Sequence, residues 1–336
     1  MTGPVGIQAR NRRRAMLRTA MGPAIAAALA DSRVIEIMVN PDGVLRLDRL
    51  GEGRIETAVR LEAAEAERII RLVASHARAE VHADAPIISA ELPAYENGAG
   101  GERFEGLLPP VVSAPCFAIR KPAARIHRLD DYVADGITRP EVAQALASAV
   151  IDRRNILVAG GTSSGKTTLA NALLAEMATL DERVILIEDT RELQCAAADT
   201  VALRTKSGKG AGAGAVTTAD LVRSTLRLRP DRIIVGEVRG GEALDMLKAW
   251  NTGHPGGIAT VHANSARSAL YRIEQLVAES VVTVPRRLIA EAIDMVVFIC
   301  GRGTGRRIET VTEVGGLDAD GDYAVTDLIF PPSTGD

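Results

Sequence analysis

The residues best equipped for chemistry lie together near the middle of the chain. Gly160-Gly161-Thr162-Ser163-Ser164-Gly165-Lys166-Thr167, followed by Thr168, has the spacing G-x-x-x-x-G-K-[ST], that of a loop whose backbone N–H groups surround phosphate oxygens. Each residue type has a physical reason. Glycine lets the backbone approach an anion that a side chain would hold off, Lys166 supplies a cation, and the Thr167 hydroxyl can complete the shell of a Mg²⁺ ion. The match follows the apolar run Ile156-Leu157-Val158-Ala159 and opens a helical pattern through Thr167–Met177. Phosphates held there would meet the free amides and positive dipole end of a helix.

Holding a phosphate is not cleaving it, and hydrolysis needs a carboxylate that orients or deprotonates water. Two acids stand at the ends of apolar strand-like runs. Ile233-Ile234-Val235-Gly236 leads into Glu237, and Val184-Ile185-Leu186-Ile187 leads into Glu188 and Asp189. Open α/β sheets bind ligands at the carboxyl ends of their strands, which makes Glu237 the first candidate base and Glu188 the second, with a possible further place for Glu188 beside Mg²⁺. An acid after a strand also serves commonly as a helix cap. His262 ends the short apolar run Ile258–Val261 and could sense a terminal phosphate or position water, whereas His254 sits in a glycine-rich turn and His127 has no catalytic part. Arginine far outnumbers lysine, so a single arginine is ordinarily a solvated charge. Arg239, two residues after Glu237, and Arg120, at the end of Phe117-Ala118-Ile119, are the two whose positions could bring a planar cation to a phosphate.

The elements that would position these residues fall into two parts. Residues 1–121 read as a small α+β domain. It has a helical pattern from about Arg10 to Ala30, a hairpin of Val34–Val39 and Val44–Leu47 turning at Asn40-Pro41-Asp42-Gly43, a helix from Leu61 to about Ala77, and short strand-like pieces punctuated by Pro and Gly. Residues 122–140, polar and bounded by prolines, read as a linker. From 141 to 336 helical and strand patterns alternate, with runs too apolar to leave one face in water. The fold class is therefore α/β with a mainly parallel sheet covered on both sides, closed by tail strands of which some pair antiparallel. Ser207–Ala215, SGKGAGAGA, is the only low-complexity piece and reads as a loop.

Composition excludes several classes. Apolar residues make up 46% and charged residues 25% of 336, as in ordinary globular chains, and the net charge of −3 gives no global pull toward nucleic acid. Aromatics at 3% leave few platforms for stacking bases, so direct nucleic-acid binding is disfavoured. The three cysteines, Cys116, Cys195 and Cys300, form no paired spacing, which argues against zinc and against a disulfide framework. Arg12, Arg13 and Arg14 ahead of an Ala-rich stretch imitate an export signal, but with a weakly apolar core, and a cytoplasmic protein is expected.

Four elements stand in one order: the loop at 160–167, Ile187-Glu188-Asp189-Thr190, the Walker-B-like Arg229-Pro230-Asp231-Arg232-Ile233-Ile234-Val235-Gly236-Glu237, and the histidine box from Gly253-His254 to His262. Their order and wording resemble the secretion-superfamily traffic ATPases, and Glu36–Gly43 with Ile119-Arg120-Lys121 are similar to that family's N-terminal domain and hinge. Without a tetracysteine zinc module, the resemblance points to the conjugative, type IV branch. It implies a RecA-like P-loop NTPase core, hydrolysis of ATP with Mg²⁺, and a homo-oligomeric ring, a hexamer, with ATP between the two domains. It also implies partners among the inner-membrane components of a secretion machine, with peripheral association at its cytoplasmic face. Two other readings compete: a DNA-translocating ATPase on the same core, and a scaffold that uses ATP only as a switch.

Overall fold

A computed structural model describes residues 4–77, 79–93, 101–122, 126–206 and 214–328. The chain divides into two compact units between residues 124 and 125. In the first, α1 (Pro4–Ala30) is followed by β1 (Val34–Val39), β2 (Val44–Arg49), β3 (Gly53–Arg60), α2 (Ala63–Ala77), β4 (Ile87–Glu91), β5 (Arg103–Leu107) and β6 (Cys116–Arg120). The strands form one antiparallel sheet in the order β3-β2-β1-β6-β5-β4. Helix α1 departs from a regular helix at Gly22, with φ of +70° before Pro23, because proline cannot donate to the preceding turn and the glycine can take the left-handed backbone that follows. Leu17, Met21 and Ile25 on α1 and Ile69, Ile70 and Val73 on α2 bury against Ile37, Leu45, Phe104 and Ile119 of the sheet. The expected hairpin turns at Gly43, φ +75°, where an added Cβ would lie 2.4 Å from the Leu61 carbonyl oxygen.

The second unit begins with α3 (Leu129–Ala134), α4 (Pro140–Ile151), β7 (Ile156–Gly160), α5 (Lys166–Ala175), β8 (Arg183–Glu188), β9 (Asp199–Arg204) and α6 (Thr218–Thr225). It continues with β10 (Arg232–Val235), α7 (Glu242–Asn251), β11 (Ile258–His262), α8 (Ala266–Ala278), α9 (Arg286–Ala292), β12 (Met295–Cys300), β13 (Arg307–Leu317) and β14 (Tyr323–Asp327). Its eight-stranded sheet runs β14-β13-β12-β7-β11-β10-β8-β9, parallel from β12 to β9 and antiparallel at β13 and β14. Strand β7 is buried along its whole length, with α3, α4 and α5 contributing to the core on one face and α7, α8 and α9 to that on the other. Continuous apolar runs mark its strands for that reason.

The segment 122–140, read as a linker, carries α3, whose Leu129 and Tyr132 lie three residues apart on one helical face and are buried in the core of the second unit. The glycine-rich segment lies outside the described residues except at its end. No helix among the described residues is long and apolar enough to cross a membrane.

At the amino-terminal edge of the second sheet the strands are tied by one side chain. Buried Asn155 accepts from the amides of Gly256 and Gly257 at 2.8 and 2.9 Å and donates to the Ala292 carbonyl at 2.8 Å, joining the approaches to β7, β11 and β12. Truncating it strands three buried backbone groups. Asn155→Ala is expected to cost about 2–4 kcal/mol of stability and to lower the thermal midpoint by roughly 5 °C or more, as read by calorimetry.

Candidate active site

Because β7, β11, β10 and β8 are adjacent and parallel, their carboxyl ends share one edge, and the residues just beyond them meet there. Strand β7 ends at Gly160, where a Cβ would stand 2.4 Å from the Ile299 carbonyl oxygen and 2.5 Å from Ser164 Oγ, so no larger residue fits. The chain then turns through Gly161, Thr162, Ser163 at φ +62°, Ser164, and Gly165 at φ +99° before α5 starts at Lys166. No side chain caps that helix, which leaves the amides of its first turn, through Thr167 and Thr168, for an anion. Ser164 Oγ is buried without a hydrogen bond, and nothing approaches the Cβ position of Gly161 within 4 Å. The loop is a cradle with polar atoms still to be satisfied.

Lys166 is only 8% exposed. Its Nζ donates to the Gly161 carbonyl at 2.9 Å and approaches His262 Nδ1 at 3.3 Å. An ammonium can only donate, so Nδ1 acts as acceptor and the ring proton sits on Nε2. That nitrogen faces Glu237, 2.8 Å from Oε1. The approach is off the hydrogen-bond line, since Oε1 is buried without a hydrogen-bond partner, and we treat it as an electrostatic contact. Glu237 Oε2 takes both Arg239 Nε, at 2.8 Å, and Nη2. The row Lys166, His262, Glu237, Arg239 thus alternates cation, neutral ring, anion and cation across the strand ends.

Gly236 fixes where Glu237 can be. Its N–H donates to the Ile187 carbonyl at 2.9 Å and its carbonyl accepts from Thr260 Oγ1 at 2.7 Å. A Cβ there would come 2.9 Å from Glu188 Cγ, so the glycine lets the Glu188 side chain lie against the turn that carries Glu237. Glu188 is buried and differently engaged: Oε1 accepts from the amides of Glu192 at 2.8 Å and Leu193 at 2.7 Å. Asn171 of α5 completes that brace, accepting from Gln194 N at 2.9 Å and donating to the Glu192 carbonyl at 3.0 Å. Sequence reasoning passed over Asn171, although a lone amide in an otherwise apolar turn five residues after Lys166 was a visible signal.

Arg120 belongs to the first unit, exposed at the end of β6, with Glu36 of β1 opposite it on one side and Arg103 of β5 on the other. Two arginines directly opposite each other repel, and Arg103 was not singled out from the sequence. His254 Nδ1 lies 3.0 Å from the Pro230 carbonyl oxygen, a brace between two turns. His127 meets the buried Tyr132 ring edge-on at 6.5 Å. Two further arginines went unnoticed: Arg302 Nη2 donates to the Thr162 carbonyl at 3.0 Å, and Arg306 lies against Gly165.

Burial, and then the Lys166 charge, hold the His262 imidazole below its ordinary pKa, with Glu237 opposing them. The lowered value means that the unfolded chain takes a proton near pH 6.5 before the folded one does. His262 therefore contributes full stability above that pH and loses it as the pH falls toward its folded pKa. In an NMR titration its ring is expected to titrate below free histidine, to rise in Lys166→Met and to fall further in Glu237→Gln.

A family model described as Type II/IV secretion system protein matches residues 106–300. The conjugal transfer protein TrbB of Rhizobium radiobacter is 49% identical over 302 residues, covering 89% of this chain and 90% of that protein. The type IV secretion system protein VirB11 of Bartonella henselae is 34% identical over 302 residues, covering 79% and 82%. In fold, the chain is similar to the ATPase DotB of Legionella pneumophila, with a TM-score of 0.57 at 18% identity over 90% of this chain and 78% of that one. By the extent of the family match and the identity to these relatives, the chain belongs to the type II/IV secretion system protein family.

Proposed function

We propose that this chain is the ATP-hydrolysing motor of a conjugative type IV secretion apparatus, driving its assembly or the transfer of its substrate. The row Lys166–His262–Glu237 at the mouth of the 160–167 loop carries this reading. The loop of Gly160, Gly161, Thr162, Ser163, Ser164, Gly165, Lys166, Thr167 and Thr168 binds the phosphates through its free amides, with Lys166 offsetting their charge. Mg²⁺, held by the Thr167 hydroxyl with Glu188 reaching its water shell, would neutralise charge on the phosphate oxygens. Glu237 is the general base and His262 the sensor: when Lys166 turns toward a terminal phosphate, His262 loses its partner on Nδ1 and uncovers Glu237 Oε1 for a water proton. Arg239 holds the other carboxylate oxygen and so fixes the orientation of the Glu237 side chain.

Arg120, offered from the first unit, adds a planar cation that stabilises charge on the transferring phosphoryl group more than on bound ATP. The working form is a ring of identical copies, a hexamer, held at the cytoplasmic face of an inner membrane by partner proteins. The high identity to a conjugal transfer protein supports that placement.

Lys166→Ala is expected to abolish nucleotide binding while leaving the circular dichroism spectrum native, and native turnover in that variant would end the assignment. Glu237→Gln should keep ATP affinity and lose at least about a hundredfold in kcat, the scale of a missing general base. Equal losses in affinity and rate would transfer the role to Glu188. Arg120→Ala should lower kcat more than it weakens binding, and an unchanged kcat would remove Arg120 from the reaction.

A further inference from the structure

The strand-end groups assigned to the reaction within the second unit lie on one side of β7: His262 from β11, Glu237 beyond β10 and Glu188 from β8. A nucleoside triphosphate is a chain with its reacting phosphorus at one end. If that end lies toward β11 and β10, the nucleoside end extends across Gly165 to the other side of β7, where β12 is the neighbour. The segment after β12 is Gly301-Arg302-Gly303-Thr304-Gly305-Arg306-Arg307. It is folded tightly back on itself: Gly301 has φ +74°, and a Cβ there would come 2.0 Å from the Gly305 carbonyl oxygen.

That turn presses two guanidinium groups on the phosphate loop. Arg302 bonds to the Thr162 carbonyl. Arg306 lies over Gly165, with its Nε, Cζ and Cδ at 2.9, 3.1 and 3.2 Å from where a Cβ would be, a set of near-equal distances that places the guanidinium plane face-on to the glycine. Neither arginine pairs with a carboxylate among the described residues. Arg306 Nε is buried with no hydrogen-bond acceptor, and the nearby Tyr132 hydroxyl, which feels its charge, is buried without a partner as well. With Lys166, three cations converge on one loop, and leaving a buried donor unmet costs stability unless something else is gained.

We propose that Arg306 is a nucleotide-positioning residue that grips the α-phosphate of the bound nucleotide from the β12 side, with Arg302 holding the turn in register with the loop. This rests on the ATPase reading above and adds the residue that binds the non-reacting end. Glycine at 165 is then required twice, for its backbone angle and because any side chain would displace the guanidinium. Because the α-phosphate is present before and after hydrolysis, the contact contributes equally to substrate and product binding. A grip of that kind is uniform binding, which sets affinity rather than the chemical step.

The test measures Kd for MgADP and for a non-hydrolysable MgATP analogue by calorimetry, with KM from steady-state turnover, on the full chain. Arg306→Met should weaken both ligands by the same factor, about tenfold, the size of one charge-assisted hydrogen bond, and lower kcat/KM equally. Arg306→Lys, which keeps the charge, should recover part of the loss, and the thermal midpoint of the nucleotide-free chain should be little changed. Lys166→Ala serves as the control for the reading beneath. If Lys166→Ala loses binding while Arg306→Met binds both ligands like the native chain, the inference fails and the ATPase reading stands. Weakening of the ATP analogue alone would place Arg306 on the reacting phosphate and overturn the assignment to the α-phosphate. A fall in thermal midpoint with unchanged Kd would make Arg306 structural.

Discussion

A parallel sheet buried on both faces can offer chemistry only at its edges, and that constraint governs the second unit. Strands β7, β8, β10 and β11 are almost wholly apolar because helices cover both sides, so the polar side chains of the site stand on residues that end a strand, on the turn after it, or on the helix that follows. Since the strands are parallel, those residues come to one edge together. Close approach there is bought with glycine. Gly160 lets β12 and Ser164 come against β7, and Gly236 lets the Glu188 side chain pack against the turn that carries Glu237. The opposite edge holds the strands in register through Asn155, with no group of the proposed mechanism on it.

The charges at the site are arranged so that each has an alternative. Lys166 is turned to its own loop and to His262, His262 to Glu237, and Glu237 to Arg239. In the absence of phosphate these contacts offset one another in a half-buried setting where an unpaired charge would be costly. A phosphate competing for Lys166 disturbs the row at one end and is felt at the other, over side chains contributed at or beyond the ends of three separate strands, β7, β11 and β10. The phosphate loop lies between this row and the two arginines of the β12 turn, which among the described residues pair with no carboxylate.

What could be read from the sequence was whatever its neighbours in sequence determine. The 160–167 loop is local, its glycines and Lys166 set by spacing alone, and Glu237 and Glu188 stand out because an acid abruptly ends an apolar run. The hairpin at Gly43 and the alternation of strands and helices were legible for the same reason. Asn155 was not, because its partners at 256, 257 and 292 are near only once the sheet has formed. Arg306 was hidden by abundance: in a chain so rich in arginine, its approach to Gly165, 141 residues back, has no sequence signal. Helix α3 escaped because a few apolar residues scattered through a charged, proline-bounded stretch make a weak pattern, and the break at Gly22-Pro23 was masked by the surrounding alanines.

The brace around Glu188 has a mechanical meaning. The backbone from Asp189 to Ala198 has no regular structure, yet its amides at 192, 193 and 194 are held by a strand-end carboxylate and a helix amide. Irregular backbone of this kind is not slack. Its amides at 192, 193 and 194 are held as in a ladder, with side chains of β8 and α5 in place of a partner strand. The segment is splinted at its middle, pinned to β8 through Glu188 and to α5 through Asn171.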